Sequence, residues 1–221
     1  MTPREISELL ADCTPVILTI GLVAGCINFK KLGPLQKLVM AYLALMFVTD
    51  LLSDYIGYKW GNNFIMLHIY SLTELGFMIY LYQKVMFRKR HLPLLILGIL
   101  GLVYITAEIA LLYVFNQIVV KDFQPYAKVV DNFIIILMAL AYMQERMNRF
   151  REQQWGNFRL NMAFLVYFTV NTVFFLPFNF MVNASSDVKF YFWTGHVSLL
   201  ILLYSYLGFK MLKIPSKAML A

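Results

Sequence analysis

Long apolar runs alternate with short polar interruptions along the whole chain. Seven runs reach the roughly 20 predominantly apolar residues that a helix needs to cross a bilayer core. They cover 8–29, 38–58, 64–86, 92–115, 126–146, 158–180 and 189–211. Between or beside them fall helix breakers: Gly33-Pro34, Gly61-Asn62-Asn63, Pro93, Pro125, Gly156 and Asn183-Ala184-Ser185-Ser186. No connection is long enough to hold a soluble domain. The pattern therefore predicts an all-α, polytopic membrane bundle of seven transmembrane helices over residues 1–221. Any chemistry must lie in the bundle or at its mouths.

Composition agrees with the pattern. The chain is 61% hydrophobic and 14% charged, against about 25% charged in an ordinary soluble domain. A soluble fold of this size has no place for that much apolar surface, whereas lipid can cover it. The net charge of +7 does not indicate nucleic acid, because the basic residues sit in short clusters between spans. Fourteen Lys and Arg fall on one side of the predicted membrane and five on the other: Arg4, Lys59, Lys121, Lys128 and Lys189. The excess marks the cytoplasmic face, so the expected topology is N-terminus outside, C-terminus inside, in the cell membrane. Trp60, Tyr113, Tyr126, Tyr191 and Trp193 then fall at the outer interface. Arg4, Glu5, Glu8 and Asp12 stand before and at the head of the first run, where a cleavable signal carries a basic stretch, so the first helix is expected to be retained. Cys13 and Cys26 lie near opposite ends of that helix, too far apart for a disulfide.

A weak internal repeat is visible. Met40-Ala41-Tyr42-Leu43 reads like Met162-Ala163-Phe164-Leu165, and Val48-Thr49-Asp50 falls on Val170-Asn171-Thr172. The same shift of 122 aligns Leu81-Tyr82 with Leu203-Tyr204 and Phe87-Arg88 with Phe209-Lys210. It relates a half spanning 8–86 to one spanning 126–211, with 92–115 as a linker helix: a parallel 3+1+3 repeat. Chance similarity among apolar segments is the competing explanation.

Ionisable groups inside a membrane are costly and ask for a reason. Asp50 and Asp54 fall in the second span, Glu74 in the third, Glu108 in the fourth and Asp131 early in the fifth. His68 and His196 fall in the third and seventh. Lys and Arg occur only near span ends, so buried basic partners are not expected. The acids are expected to be protonated, to share protons with histidine, or to meet a cation or water. Most lie in the predicted outer half, which suggests a polar cavity opening outward. Asp50, Ser53 and Asp54 share one helix face at i, i+3, i+4. Tyr70 and Tyr104 stand one turn before Glu74 and Glu108, where a phenol can support a carboxyl. Under the repeat Glu74 takes the place of His196, so the two are expected to face each other and exchange a proton; a plain interhelical hydrogen bond is the alternative. Asp131 is expected to cap a helix start, and His68 and His91 to sit at the membrane mouths. Asn171 precedes Pro177, a hinge or simply the end of a span. Gly98 and Gly101 suit close helix packing.

Other chemistries lack their residues. No lysine at mid-depth in the seventh span could carry a retinal, and neither HExxH nor a nucleophile elbow occurs. No metal and no cofactor is expected. Asn183-Ala184-Ser185 is a glycosylation sequon in an expected outside loop.

The 3+1+3 arrangement resembles the SWEET and PQ-loop transporters, and also small uncharacterised bacterial seven-helix proteins. The resemblance covers topology over the whole chain and no motif: Pro34-Leu35-Gln36 interrupts the family's Pro-Gln pair and lies in a loop. Microbial rhodopsins share the helix count but need the missing lysine. The likeness implies an architecture. The expected function is small-solute or proton-coupled transport, with a site of Asp50, Asp54, Glu74, Glu108, Asn171 and His196 supported by Tyr70 and Tyr104. Its partners would be the lipid bilayer and a small polar or cationic solute. Two alternatives use the same residues. A receptor would bind a ligand there and a cytoplasmic protein at basic loops 84–91 and 146–159. An intramembrane lipid-modifying enzyme would use Asp50 and Asp54 as acid and base.

Overall fold

The computed structural model describes residues 2–61, 63–115, 125–147, 155–183 and 188–212. All regular structure among them is helical: α1 Pro3–Asn28, α2 Pro34–Trp60, α3 Phe64–Leu81, α4 Leu92–Ile109, α5 Tyr126–Met147, α6 Trp155–Phe175, a short α7 Phe178–Asn183, and α8 Val188–Leu212. A π-helical turn extends α3 over Tyr82–Met86, and another extends α4 over Ala110–Val114. Seven of these helices are long and apolar enough to cross a membrane. The chain is thus an all-helical, multi-pass membrane protein.

Local chemistry sets the ends. Thr2 and Glu5 form a reciprocal capping box that starts α1 several residues before its apolar run. Pro34 opens α2, where a missing N–H costs nothing. The sixth span is shorter than the expected 158–180. α6 stops at Phe175, and a turn through Leu176 and Pro177 leads into α7, with the Phe175 and Phe178 rings stacked across it. Proline has no N–H to continue the ladder, so Pro177 ends the span. Both cysteines are free and exposed. The 184–185 part of the sequon, and Arg149 and Arg151 of the second basic loop, lie outside the described residues.

The chain divides into two compact units, 1–55 with 187–221, and 56–186. This division groups α8 with α1 and most of α2, so it cuts across the two sequence halves suggested by the repeat. In the first unit α1 and α8 pack closely through glycine. A Cβ on Gly21 would meet Gly208 Cα at 3.3 Å, and one on Gly208 would meet Gly21 Cα at the same distance. Contact this close is the common way apolar helices associate in lipid. Asn28 Nδ2 adds a hydrogen bond to the Met211 carbonyl at 3.2 Å.

The second unit is built on α3, α4, α5 and α6. α5 is its centre: Ala127, Asp131, Asn132, Ile135, Met138, Ala139 and Tyr142 are fully buried along one face. α4 is peripheral, burying only Gly98, Gly101 and Ile105 along its α-helical stretch. Leu92, Ile96, Ile99, Leu100 and Val103 are exposed along it, an apolar surface that suits lipid. A Cβ on Gly101 would lie 2.3 Å from Ile134 Cδ1 and 3.0 Å from Leu75 Cδ2, so the glycine lets α4 lie against α3 and α5.

Candidate functional site

The polar interior of the second unit begins with one face of α5. Lys128, Asp131 and Asn132 are spaced i, i+3, i+4, and that spacing puts them on one side of the helix. Lys128 is 5% exposed and Asp131 not at all. The Lys128 ammonium donates to Glu74 Oε2 from α3, and to Asp131 Oδ2 at 3.0 Å. Glu74 stands near the middle of its span and is 2% exposed. Ser71, one turn earlier on α3, places its hydroxyl against Asp131.

This arrangement corrects the expectation that the buried acids lack basic partners. Lys128 is the third residue of α5 and reads from sequence as an interface charge. Its four-carbon stem instead carries the ammonium inward to the acids. Asp131, expected as a helix cap, is a member of the buried cluster. In its ionised form the cluster holds two negative charges and one positive, a net charge of −1.

Asn132 continues the polar stripe to α6. Asn171 Nδ2 donates to Asn132 Oδ1 at 3.3 Å, and both residues are fully buried. Asp131 Oδ1, Asn132 Nδ2 and Asn171 Oδ1 have no hydrogen-bond partner among the described residues. A buried polar atom in that condition costs about 1–3 kcal/mol. Turning both amides over leaves the same result, one nitrogen and one oxygen over.

A second cluster sits toward the start of α3. His68 is fully buried, with Nε2 3.4 Å from Glu108 Oε1 on α4, and Nδ1 3.4 Å from the Phe64 carbonyl and 3.5 Å from the Tyr113 hydroxyl. The Tyr113 ring meets the imidazole edge-on. Tyr104 is exposed, with its phenol against Glu108. His68, expected at a membrane mouth, stands one turn into α3 and is fully buried against α4.

Below Glu74 and Asp131 the interior turns apolar. Leu75, Met78, Ile135, Met138 and Ala139 are all fully buried. Polar contacts resume at the far end, where Tyr82 donates to Asn161 Oδ1 at 2.8 Å and Asn161 Nδ2 donates to the Ala139 carbonyl at 3.1 Å. Gln83 exchanges two hydrogen bonds with the His91 backbone at 3.1 Å each, and His91 Nε2 lies 3.5 Å from Glu145 Oε2.

The six expected site residues divide between the units. Glu74, Glu108 and Asn171 belong to the second, as do Tyr70, half-buried on α3, and Tyr104. Asp50, Asp54 and His196 belong to the first. There Asp50 is half-buried, Asp54 is exposed with its charge close enough to feel Asp12, and His196 is buried with Trp193 5.3 Å away. The ion partner that the structure gives Glu74 is Lys128. Lys128, Asn132 and Ser71 were not anticipated, although the 128/131/132 spacing was there to be read. Among the described residues no group of three or more His, Cys, Asp or Glu is placed to hold a metal. Comparison with protein-family models, with curated proteins and with solved structures finds no match to this chain.

Proposed function

We propose that this membrane protein is a proton-coupled transporter of a small solute, with Glu74, Lys128 and Asp131 as its coupling site. The supporting observation is the ammonium held between two buried carboxylates. An excess negative charge inside a membrane protein is expensive, and one proton removes it. Protonating either acid also weakens its grip on Lys128, and with it one tie between α3 and α5 or within α5. Proton binding is thereby linked to helix packing, as a coupled carrier requires.

The surroundings suit this role. His68, Glu108 and Tyr113 offer titratable groups on one side of the site, and the apolar layer from Leu75 to Met138 blocks the other. In the expected topology the polar side faces outward. The solute would be small and polar or cationic, and the membrane would be the cell membrane.

The test uses proteoliposomes with an imposed inward proton gradient and a panel of radiolabelled sugars, amino acids and amines. Gradient-driven uptake of at least one solute is expected, and Glu74→Gln should abolish the dependence on the gradient. Glu74→Gln with the gradient dependence intact removes the assigned site. No gradient-driven uptake across the panel removes the transport reading.

A further inference from the structure

We propose that Asp131 and the Asn132–Asn171 pair form a binding site for a monovalent alkali cation, which exchanges with the proton of the coupling cluster. The proposal deepens the transport reading and rests on it for the role of the site, but its geometry stands alone. Asp131 and Asn132 are consecutive on α5, Asn171 reaches Asn132 from α6, and Ser71 reaches Asp131 from α3. Three helices thus bring carboxylate, carboxamide and hydroxyl oxygens to one turn of α5. Two of these oxygens, Asp131 Oδ1 and Asn171 Oδ1, have no partner among the described residues, and both residues are fully buried.

Hydrogen inventory shows why a cation suits the site. A carboxylate offers acceptors only, and so does a carboxamide oxygen. With Asp131 ionised, Asp131 Oδ1 and Asn171 Oδ1 accept no hydrogen bond from a described residue, and the unpaired donor Asn132 Nδ2 bonds neither. A proton on Asp131 supplies a hydrogen; a small hard cation supplies the alternative, since such ions take oxygen ligands. Charge sets the valence. The cluster is −1 when ionised, so one monovalent ion or one proton neutralises it, and holding both would make it +1. The two therefore compete, one for one. A transition metal lacks its usual nitrogen and sulfur ligands here.

Tyrosines aside, the titratable and charged groups on the helices packed around Asp131 are Glu74 and His68 on α3, Glu108 on α4, Lys128, Glu145 and Arg146 on α5 itself and Arg159 near the start of α6; Glu145 and Arg146 stand fourteen and fifteen residues further along α5, past the apolar layer. Glu74 and Lys128 are in the cluster. His68 and Glu108 pair with each other, and Arg159 is exposed and about twelve helix rises of 1.5 Å from Asn171. Proton release on cation binding is accordingly assigned to the Glu74–Asp131 pair.

The experiment is thermal unfolding of the purified full chain in detergent micelles. It compares sodium, lithium and potassium chlorides with choline chloride at equal ionic strength, at acidic and at alkaline pH. One alkali cation is expected to raise the midpoint above choline, and more so at alkaline pH, where fewer protons compete. Adding that cation to weakly buffered protein should release protons, read with a pH-indicator dye. Asp131→Asn should abolish both effects, and Asn171→Leu should weaken the apparent affinity by about tenfold or more. Identical curves in choline and in every alkali chloride, at both pH values, overturn the proposal, as does a cation effect that survives in Asp131→Asn. Should that variant not fold, the wild-type cation specificity and proton release decide alone. Cation-linked proton release without gradient-driven solute uptake keeps this site and removes the transport reading. Uptake without any cation-specific shift does the reverse.

Discussion

Replacing Lys128 by methionine isolates the energetics of the cluster. Methionine keeps an unbranched apolar stem of four atoms, with sulfur in place of Cδ, and lacks the ammonium. In the parent, Nζ lies 3.0 Å from Asp131 Oδ2 and is also bonded to Glu74. At an effective dielectric of about 20, a unit-charge contact at that distance is worth roughly 5 kcal/mol before desolvation is counted. Without the ammonium, the two carboxylates are left in one buried space, and at least one must take up a proton. Breaking a buried ion pair from one side typically costs about 3–5 kcal/mol, and that is the expected loss for Lys128→Met. Two controls separate charge from packing. Asp131→Asn added to Lys128→Met should recover part of the loss, because one stranded charge is gone. The triple variant with Glu74→Gln should lie close to the parent or above it, since a buried ionic group is often no more stable than a neutral one of the same shape. The assay is unfolding by SDS in mixed micelles, followed by tryptophan fluorescence and circular dichroism. A Lys128→Met protein within about 0.5 kcal/mol of the parent would show that the ammonium is not buried between the acids and that Glu74, Lys128 and Asp131 do not form a coupling site.

Two further outcomes follow from the packing. Gly101→Val places a Cβ where Ile134 Cδ1 is 2.3 Å away; overpacking should cost about 1–3 kcal/mol in the same titration, whereas Gly33→Val, whose nearest neighbour is the flexible end of Gln36 at 3.7 Å, should cost less. Asn161→Leu strands the Tyr82 hydroxyl and removes the second hydrogen bond on the Ala139 carbonyl and should cost about 1–3 kcal/mol, with Tyr82→Phe in the same chain restoring part of it; no restoration would show that the two side chains are not coupled.

The number of spans and their approximate limits were legible in the sequence, because apolar length is a local property and the bilayer fixes what length suffices. Capping was local too. Thr2 and Glu5 carry the α1 start at the spacing of a capping box, and Pro177 ends α6 because it has no N–H, whatever surrounds it. Glu74, Glu108 and Asn171 could be picked out by type and depth alone, since polar groups are rare in apolar runs. What those residues meet was not legible. Lys128 is two residues from a helix start, and only the way α3 packs on α5 decides whether its ammonium turns to the surface or inward to Glu74. The Asn132–Asn171 bond joins residues 39 apart in sequence, and the grouping of α8 with α1 needs a glycine contact across most of the chain. Sequence fixes which groups are too costly to leave alone in lipid. Tertiary structure chooses their partners, because a side chain's neighbours across a helix interface are set by rotation and depth, which hydrophobic periodicity leaves undetermined in helices apolar on every side.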